Sequence, residues 1–163
     1  MKNLRERAIS SKLFDEAAAL GFVTQILFQT PRNAFRLAAI SSQVWPAIRL
    51  GQIDILFTNR GVAIGYAIWA FLSDEVSLQV STDANRILHL SEWNEGANLW
   101  IMDFVATRGS SRQLAAQLAE ESLITYRSAR AIRRNSDGSI KRIMKINLPA
   151  HARGPDSMNL IGA

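Results

Sequence analysis

One acidic residue of the sequence lies inside an otherwise apolar segment. Asp103 falls within Leu99–Ala106, whose other residues are all hydrophobic. A strand period of two predicts one face with Trp100, Met102 and Phe104 and another with Leu99, Ile101, Asp103 and Val105. A buried charge costs several kcal/mol unless it is paired, hydrogen-bonded or protonated. Asp103 is therefore a candidate catalytic acid or base, although an internal salt bridge to an arginine or a wet strand end would also explain it.

A second candidate group directly follows this segment. Arg108, Gly109, Ser110 and Ser111 lie where a strand gives way to a helix whose inner face we expect to carry Leu114, Ala115 and Leu118. Amide groups at such a junction can bind an anion, glycine permits close backbone approach, and serine hydroxyls add donors. This loop is a candidate phosphate-binding site. Ordinary helix capping uses the same residue types.

Positive charge is concentrated near the C-terminal end. Between Arg127 and Lys145 there are seven basic residues and one acidic residue, Asp137, a local net charge of +6 against +5 for the whole chain. Such a surface attracts acidic partners, and the candidate carrier-binding residues are Arg130, Arg133, Arg134, Lys141 and Arg142. A solvated hairpin would carry the same charges. Nucleic-acid binding is disfavoured because only Tyr126 supplies an aromatic ring nearby.

Composition excludes several other kinds of site. The chain has no cysteine, so disulfides, a thiol nucleophile and thiolate metal sites are excluded. Its two histidines, His89 and His151, lack metal-ligand spacing, and we expect no bound metal. The longest apolar run, Val62 to Leu72, has eleven residues, whereas a membrane-spanning helix needs about 20. We expect a cytoplasmic protein without a membrane span.

The order of predicted elements indicates an α/β (α+β) fold in which helices flank a mostly antiparallel sheet. Helical spacing covers 11–20 and 33–44, while the apolar stretch 22–28 is of uncertain type. Pro46 interrupts or restarts the second helix, and Gly51 ends it. Strands are predicted over 53–57, 62–72, 99–106, 127–134 and 140–147, and Ser73 caps a helix that runs to about residue 82. We expect a single domain over 1–148 and a loose tail over 149–163.

Three segments resemble one known family. They are Pro46-Ala47-Ile48-Arg49, Gly65-Tyr66-Ala67-Ile68-Trp69-Ala70-Phe71-Leu72-Ser73, and Trp93-Asn94-Glu95-Gly96 followed by Leu99-Trp100-Ile101-Met102-Asp103-Phe104-Val105-Ala106. In order and spacing they are similar to the RTX toxin-activating lysine acyltransferases, clearly over about residues 43–109. The resemblance implies a GNAT-like acyltransferase fold that is often dimeric. It also implies transfer of a fatty acyl group from acyl-acyl carrier protein to internal lysines of an RTX protoxin, with no permanently bound cofactor.

The resemblance places the family's catalytic aspartate on Asp103 and its donor loop on Ala106-Thr107-Arg108-Gly109. The family's catalytic histidine has no counterpart, because the corresponding region reads Thr30-Pro31-Arg32-Asn33, and Gln43 or a neighbouring serine replaces a family asparagine. Asp103 could then act as the base, His89 could take part from its loop, or the protein could be a degenerate member that binds without catalysing. A GNAT acetyltransferase using acetyl-CoA is a further alternative, for which a fuller glycine-rich loop is expected.

Overall fold

The computed structural model describes residues 11–30, 37–83, 86–135 and 139–148 of the chain. The helical elements are α1 (Ser11–Phe28), α2 (Leu37–Ala39), a π-helical turn π1 (Ile40–Val44), α3 (Trp45–Leu50), α4 (Asp74–Thr82), a 3₁₀ helix (Leu90–Trp93), α5 (Ser111–Gln117) and a second π-helical turn π2 (Leu118–Ser122). The strands are β1 (Ile53–Phe57), β2 (Ala63–Leu72), β3 (Asn98–Ala106), β4 (Ser128–Arg134) and β5 (Ile140–Asn147).

The described strands form one five-stranded sheet in the order β1-β2-β3-β4-β5. Three of its pairings are antiparallel, and β3 and β4 are parallel. A parallel pair needs a crossover connection, which α5 and π2 supply between β3 and β4. The predicted fold class, an α/β protein with a mostly antiparallel sheet flanked by helices, is confirmed.

Two apolar clusters cover the two faces of the sheet. The first face packs against α1, α3 and α4 and includes Tyr66, Ile68 and Trp100. The second face packs against α5 and π2 and includes Trp69 and Ile101. Residues of β2 contribute to both clusters, which is why this strand reads as a nearly continuous apolar run.

The helical predictions are partly corrected. The stretch 22–28 continues the first helix without a break, so α1 is a single helix of 18 residues. Pro46 stands in the first turn of α3, as expected if it restarts a helix, and the preceding π1 turn has a wider bond from the Trp45 amide to the Ile40 carbonyl. Gly51 ends α3 with a left-handed φ of 67°, as predicted.

Other boundaries agree with the sequence analysis. Ser73 caps α4 by accepting a hydrogen bond from the Val76 amide at 3.3 Å. Leu114 and Leu118 face inward in α5 and π2, but Ala115 is exposed and Ala119 is buried instead. Ala115 lies one position, about 100°, beyond Leu114 on the helix, and Leu118 and Ala119 belong to the π2 turn that follows. The predicted loose tail, 149–163, lies outside the described residues. No helix in the described ranges is both long and apolar enough to cross a membrane.

Gly96 holds the connection between the 3₁₀ helix and β3 against the end of β2. The amides of Glu95 and Gly96 both donate to the Phe71 carbonyl, at 3.0 and 2.9 Å. A Cβ at position 96 would lie 2.1 Å from the Leu72 carbonyl oxygen. The close approach involves backbone rather than a flexible side chain, so a larger residue cannot be accommodated without moving β2 or the connection.

We therefore predict that Gly96→Ala lowers the free energy of unfolding by at least ~2 kcal/mol, because it overpacks a backbone contact. Chemical denaturation measures the change. Gly21→Ala is the matched control, because nothing lies within 4 Å of a Cβ at that exposed position of α1. Alanine is the better helix former by about 0.5–1 kcal/mol, so the control protein should be as stable as wild type or more so. Equal stability of the two variants would contradict the prediction.

Candidate functional site

The Asp103 carboxylate is buried and oriented by two hydrogen bonds. Its side chain lies on β3 and the residue is 7% exposed. The Tyr66 hydroxyl donates to Oδ2 at 2.9 Å, and the Phe104 amide donates to Oδ1 at 3.0 Å. Hydrogen bonds to a carboxylate are stronger than those between neutral groups. The acidic group predicted from the sequence is therefore buried and held in one orientation, as a catalytic acid or base requires.

Asp103 lies on a different face from the one the alternation predicted. β2 and β3 pair Ile68 with Asp103 but Trp69 with Ile101, so Met102 is an extra residue in β3. Such a β-bulge shifts every later side chain by one position. Asp103 therefore shares the first face with Trp100 and Tyr66, whereas Leu99, Ile101 and Phe104 face the second cluster. The predicted grouping of Asp103 with Leu99 and Ile101 was wrong.

Beside the bulge, β3 and β4 part. Their parallel pairing covers two positions, Trp100 with Arg130 and Ile101 with Ala131. From Met102 onward, the edge of β3 that faces β4 is not paired with β4. An unpaired strand edge offers amide and carbonyl groups to an extended ligand. Asp103 therefore lies on the first face of the sheet, in the part of β3 that no longer pairs with β4.

The predicted donor loop lies at the C-terminal end of β3. Gly109 adopts a φ of 90°, which favours glycine, and the Ser110 amide donates to the Thr107 carbonyl at 3.1 Å. The Ser110 hydroxyl pairs with the Thr107 hydroxyl at 3.1 Å and does not cap α5. Arg108 and Ser111 are exposed. Thr107 to Ser110 thus form one tight turn at the end of the strand that carries Asp103, and Ser111 begins α5.

The basic hairpin does not present its charges on one surface. Register places Arg130 opposite Lys145 and Arg133 opposite Arg142, and successive residues of a strand point to opposite faces. Arg130 and Lys145 therefore lie on the first face, and Arg133 and Arg142 on the second. Lys141 is the extra residue of a bulge between the Arg133 and Arg134 pairings. The candidate carrier-binding residues therefore do not all lie on one surface, which a count of charges could not reveal.

Arg130 is exposed, but its guanidinium is bonded within the protein. Its guanidinium donates to the Ser77 hydroxyl at 2.9 Å and lies 5.9 Å from the centre of the Trp100 ring. The Trp100 indole N–H also donates to Ser77, at 3.0 Å. These contacts connect β4 to α4 at the pairing of Trp100 with Arg130. Arg130 therefore has a structural role that the sequence analysis did not predict.

His89 has a capping role in its loop. Its ring nitrogen Nδ1 lies 2.9 Å from the Ser91 hydroxyl and accepts from the Ser91 amide at 3.4 Å. Glu92 completes the cap by accepting from the His89 amide at 2.7 Å. That hydrogen bond, together with the Arg86 guanidinium, lowers the pKa of Glu92 despite the opposing effect of burial. These contacts explain His89 as the start of the 3₁₀ helix.

Sequence reasoning missed Tyr66 as a member of the site. It is fully buried in β2 and lies 37 positions before Asp103. A buried tyrosine usually finds a partner for its hydroxyl, so the polar end of Tyr66 within an apolar strand was the available indication. Its partner could be identified only from the register of β2 and β3.

The family model and the curated relatives that match this chain agree on one family. The model of the RTX toxin acyltransferase family (HlyC) matches residues 12–147. The leukotoxin-activating lysine-acyltransferase LtxC of Aggregatibacter actinomycetemcomitans is 30% identical over 74% of this chain and 72% of its own. The protein-lysine palmitoyltransferase CyaC of Bordetella bronchiseptica is 29% identical over 76% of this chain and 67% of its own.

A solved structure is also similar at low identity. It is the crystal structure of histone acetyltransferase HPA2 and related acetyltransferase from Corynebacterium glutamicum. The match covers 74% of each chain with 12% identity and a TM-score of 0.39.

We predict that Tyr66→Phe lowers the free energy of unfolding by ~1.5–3 kcal/mol, because it removes a hydrogen bond to a buried carboxylate. Tyr126→Phe is the matched control, since Tyr126 is the other tyrosine of the chain, is 37% exposed and contacts Phe71 through its ring. The control should change stability by no more than ~0.5 kcal/mol. Equal effects of the two substitutions in urea denaturation would show that the Tyr66–Asp103 contact is not stabilising.

Proposed function

Because the chain belongs to the RTX toxin acyltransferase family, whose model matches residues 12–147, we propose that it transfers a fatty acyl group from acyl-acyl carrier protein to lysine side chains of an RTX-type protoxin in the cytoplasm. The observation that carries the proposal is the buried, doubly hydrogen-bonded Asp103 carboxylate beside the parting of β3 and β4. Relatives named as lysine acyltransferases support the same chemistry.

In this reaction the lysine amine attacks the thioester carbonyl carbon. A carbon–nitrogen bond forms, the carbon–sulfur bond breaks, and the amine loses a proton while the carrier thiol is released. Free lysine has a pKa of about 10.4, so most of it is protonated near neutral pH and a base must take that proton. We assign this role to Asp103, whose carboxylate accepts hydrogen bonds from the Tyr66 hydroxyl and the Phe104 amide.

Two features of the chain indicate where the acyl donor would bind. The β4-facing edge of β3, unpaired with β4 beyond Ile101, can pair with the amide groups of an extended phosphopantetheine arm. Arg108, Gly109, Ser110 and Ser111, at the end of the same strand, are the proposed phosphate site. The Ser110 amide and hydroxyl are already bonded to Thr107, so the exposed Arg108 and Ser111 side chains would supply the donors. Amides along this edge or in the turn would also stabilise the negative charge on the thioester oxygen.

Two basic residues of the β4–β5 hairpin that share one face are the proposed contact for an acidic carrier protein. Arg133 and Arg142 lie opposite each other on the second face and both are exposed. Like charges directly opposite one another are unfavourable in an isolated sheet. An anionic partner that lies across both removes that repulsion, which makes this pair the preferred contact for the carrier.

A catalytically inactive binding protein is the second candidate. The region Thr30-Pro31-Arg32-Asn33 has no histidine, and His89 is engaged in capping the 3₁₀ helix. Under this alternative the chain would bind the carrier or the protoxin without acylating it.

For the catalytic role, we predict that Asp103→Asn reduces lysine acylation at least ~10²-fold, the usual contribution of a general base. The measurement is mass spectrometry of an RTX protoxin co-expressed with each variant, read as the gain of one fatty acyl chain on lysine. Asp54→Asn is the matched control, because Asp54 is also hydrogen-bonded, to Gln117 and Ser122, but lies on β1.

Three outcomes separate the candidates. Acylation by wild type and the Asp54 variant but not by the Asp103 variant supports the proposal. Undiminished acylation by a folded Asp103→Asn protein removes Asp103 from the mechanism. A protoxin left unmodified by wild type, although wild type binds it or the carrier, supports the inactive alternative.

For the carrier surface, we predict that Arg133→Glu combined with Arg142→Glu weakens binding of an acyl carrier protein at least ~10-fold at low salt, because two attractive charges become repulsive. The difference should shrink as salt is added. Arg60→Glu is the control, since Arg60 is exposed in the turn between β1 and β2. Calorimetric titration measures all three proteins, and an equal loss for Arg60→Glu would indicate a net-charge effect rather than a binding surface.

A further inference from the structure

One buried serine links three elements at the position where β3 and β4 begin to part. Ser77 lies on α4 and is 2% exposed. Its hydroxyl oxygen accepts a hydrogen bond from the Trp100 indole of β3 at 3.0 Å and another from the Arg130 guanidinium of β4 at 2.9 Å. A hydroxyl oxygen can accept two hydrogen bonds, so its acceptor capacity is filled. This single oxygen therefore connects α4, β3 and β4.

The contacts of Ser77 lie beside a short backbone ladder. Trp100 pairs with Arg130 and Ile101 with Ala131, and within the described ranges β3 and β4 are paired at no other position. The Arg130 guanidinium also lies 5.9 Å from the centre of the Trp100 ring, within the range of a cation–π interaction. Because only two positions pair, these side-chain contacts contribute a large share of what holds β4 against β3.

The edge of β3 assigned above to the acyl donor begins directly after this ladder, at Met102. A shift of β4 toward β3 would extend the pairing over that edge, and a shift away would widen the gap between the strands. Either change alters the spacing that an extended ligand meets. A binding site needs such a spacing to be held by the residues around it, and the contacts of Ser77 are placed to hold it.

We propose that Ser77 is a positioning residue for the acyl donor. By accepting hydrogen bonds from Trp100 and Arg130 it fixes the point at which β4 leaves β3, which keeps the adjacent edge of β3 available to the pantetheine arm. The inference rests on the acyltransferase function proposed above. Ser77 acts through these two side chains, so its effect is on donor binding rather than on the chemical step.

Two variants break the contacts from opposite sides, each with a matched control. Ser77→Ala removes the shared oxygen, and Arg130→Met removes the guanidinium from an exposed position where folding should tolerate the change. Ser81→Ala is the first control, because the Ser81 hydroxyl is also hydrogen-bonded, at 2.7 Å to the Ser77 carbonyl, but within α4. Arg127→Met is the second control, because Arg127 is exposed directly before β4.

The first measurement is hydrogen–deuterium exchange of the β4 amides in the full-length protein. In Ser77→Ala and Arg130→Met, exchange over residues 129–131 should be at least ~10-fold faster than in wild type, because local opening of β4 becomes easier. Both control proteins should exchange as wild type does.

The second measurement is calorimetric titration with the S-octyl thioether of pantetheine, which cannot react and carries no charge. Its binding therefore does not depend on an ionic contact with Arg130. We expect its Kd to rise at least ~10-fold in Ser77→Ala and Arg130→Met, because the edge of β3 is no longer preorganised, and to stay within ~2-fold of wild type in the controls. In the acylation assay the same two variants should raise KM for the acyl donor without lowering kcat, a split that a general loss of stability does not produce.

Each result decides the matter in one direction. Faster β4 exchange together with weaker probe binding, in the Ser77 and Arg130 variants alone, supports the inference. Wild-type probe affinity in a folded Arg130→Met protein, or unchanged β4 exchange, overturns it and leaves the proposed donor site intact. A wild-type protein that binds no probe refutes the donor site itself, and the inference fails with it.

Discussion

The extra residue in β3 is the constraint on which the site depends. Without the bulge at Met102, Asp103 would face the cluster beneath α5, and the Tyr66 hydroxyl would lie on the opposite face of the sheet. A bulge also bends and twists its strand, and β3 and β4 stop pairing at the preceding residue. Met102, the extra residue, thus determines the face on which the Asp103 carboxylate lies, and it is located where β3 and β4 stop pairing.

The fold class and the burial of Asp103 could be predicted from the sequence because both follow from composition and periodicity. A carboxylate on a central strand whose other residues are all apolar is expected to be buried. Its face could not be predicted, since Met102 gives no indication of a bulge in the way that an internal glycine can. Its partner Tyr66 is 37 positions away in the sequence. The two side chains meet because of the register between β2 and β3, which the local sequence does not determine.

The roles of the basic residues in the β4–β5 hairpin also could not be predicted from the sequence. The number of charges between Arg127 and Lys145 is fixed by the sequence, but their roles are not. Arg130 is held by Ser77 and Trp100, both of which are remote in sequence, whereas Arg133 and Arg142 face each other in solvent. Similarly, Pro46 is accommodated by a π-helical turn that propensities do not indicate.

The outermost position of β5 has a consequence for self-association. Sheet edges invite the addition of a strand from another molecule, and proteins often prevent this with lysine and charge. Among the described strands, β5 ends the sheet and carries exposed Lys141, Arg142 and Lys145. Two copies paired edge to edge through β5 would bring these cations close together, which disfavours self-association by pairing of two β5 strands.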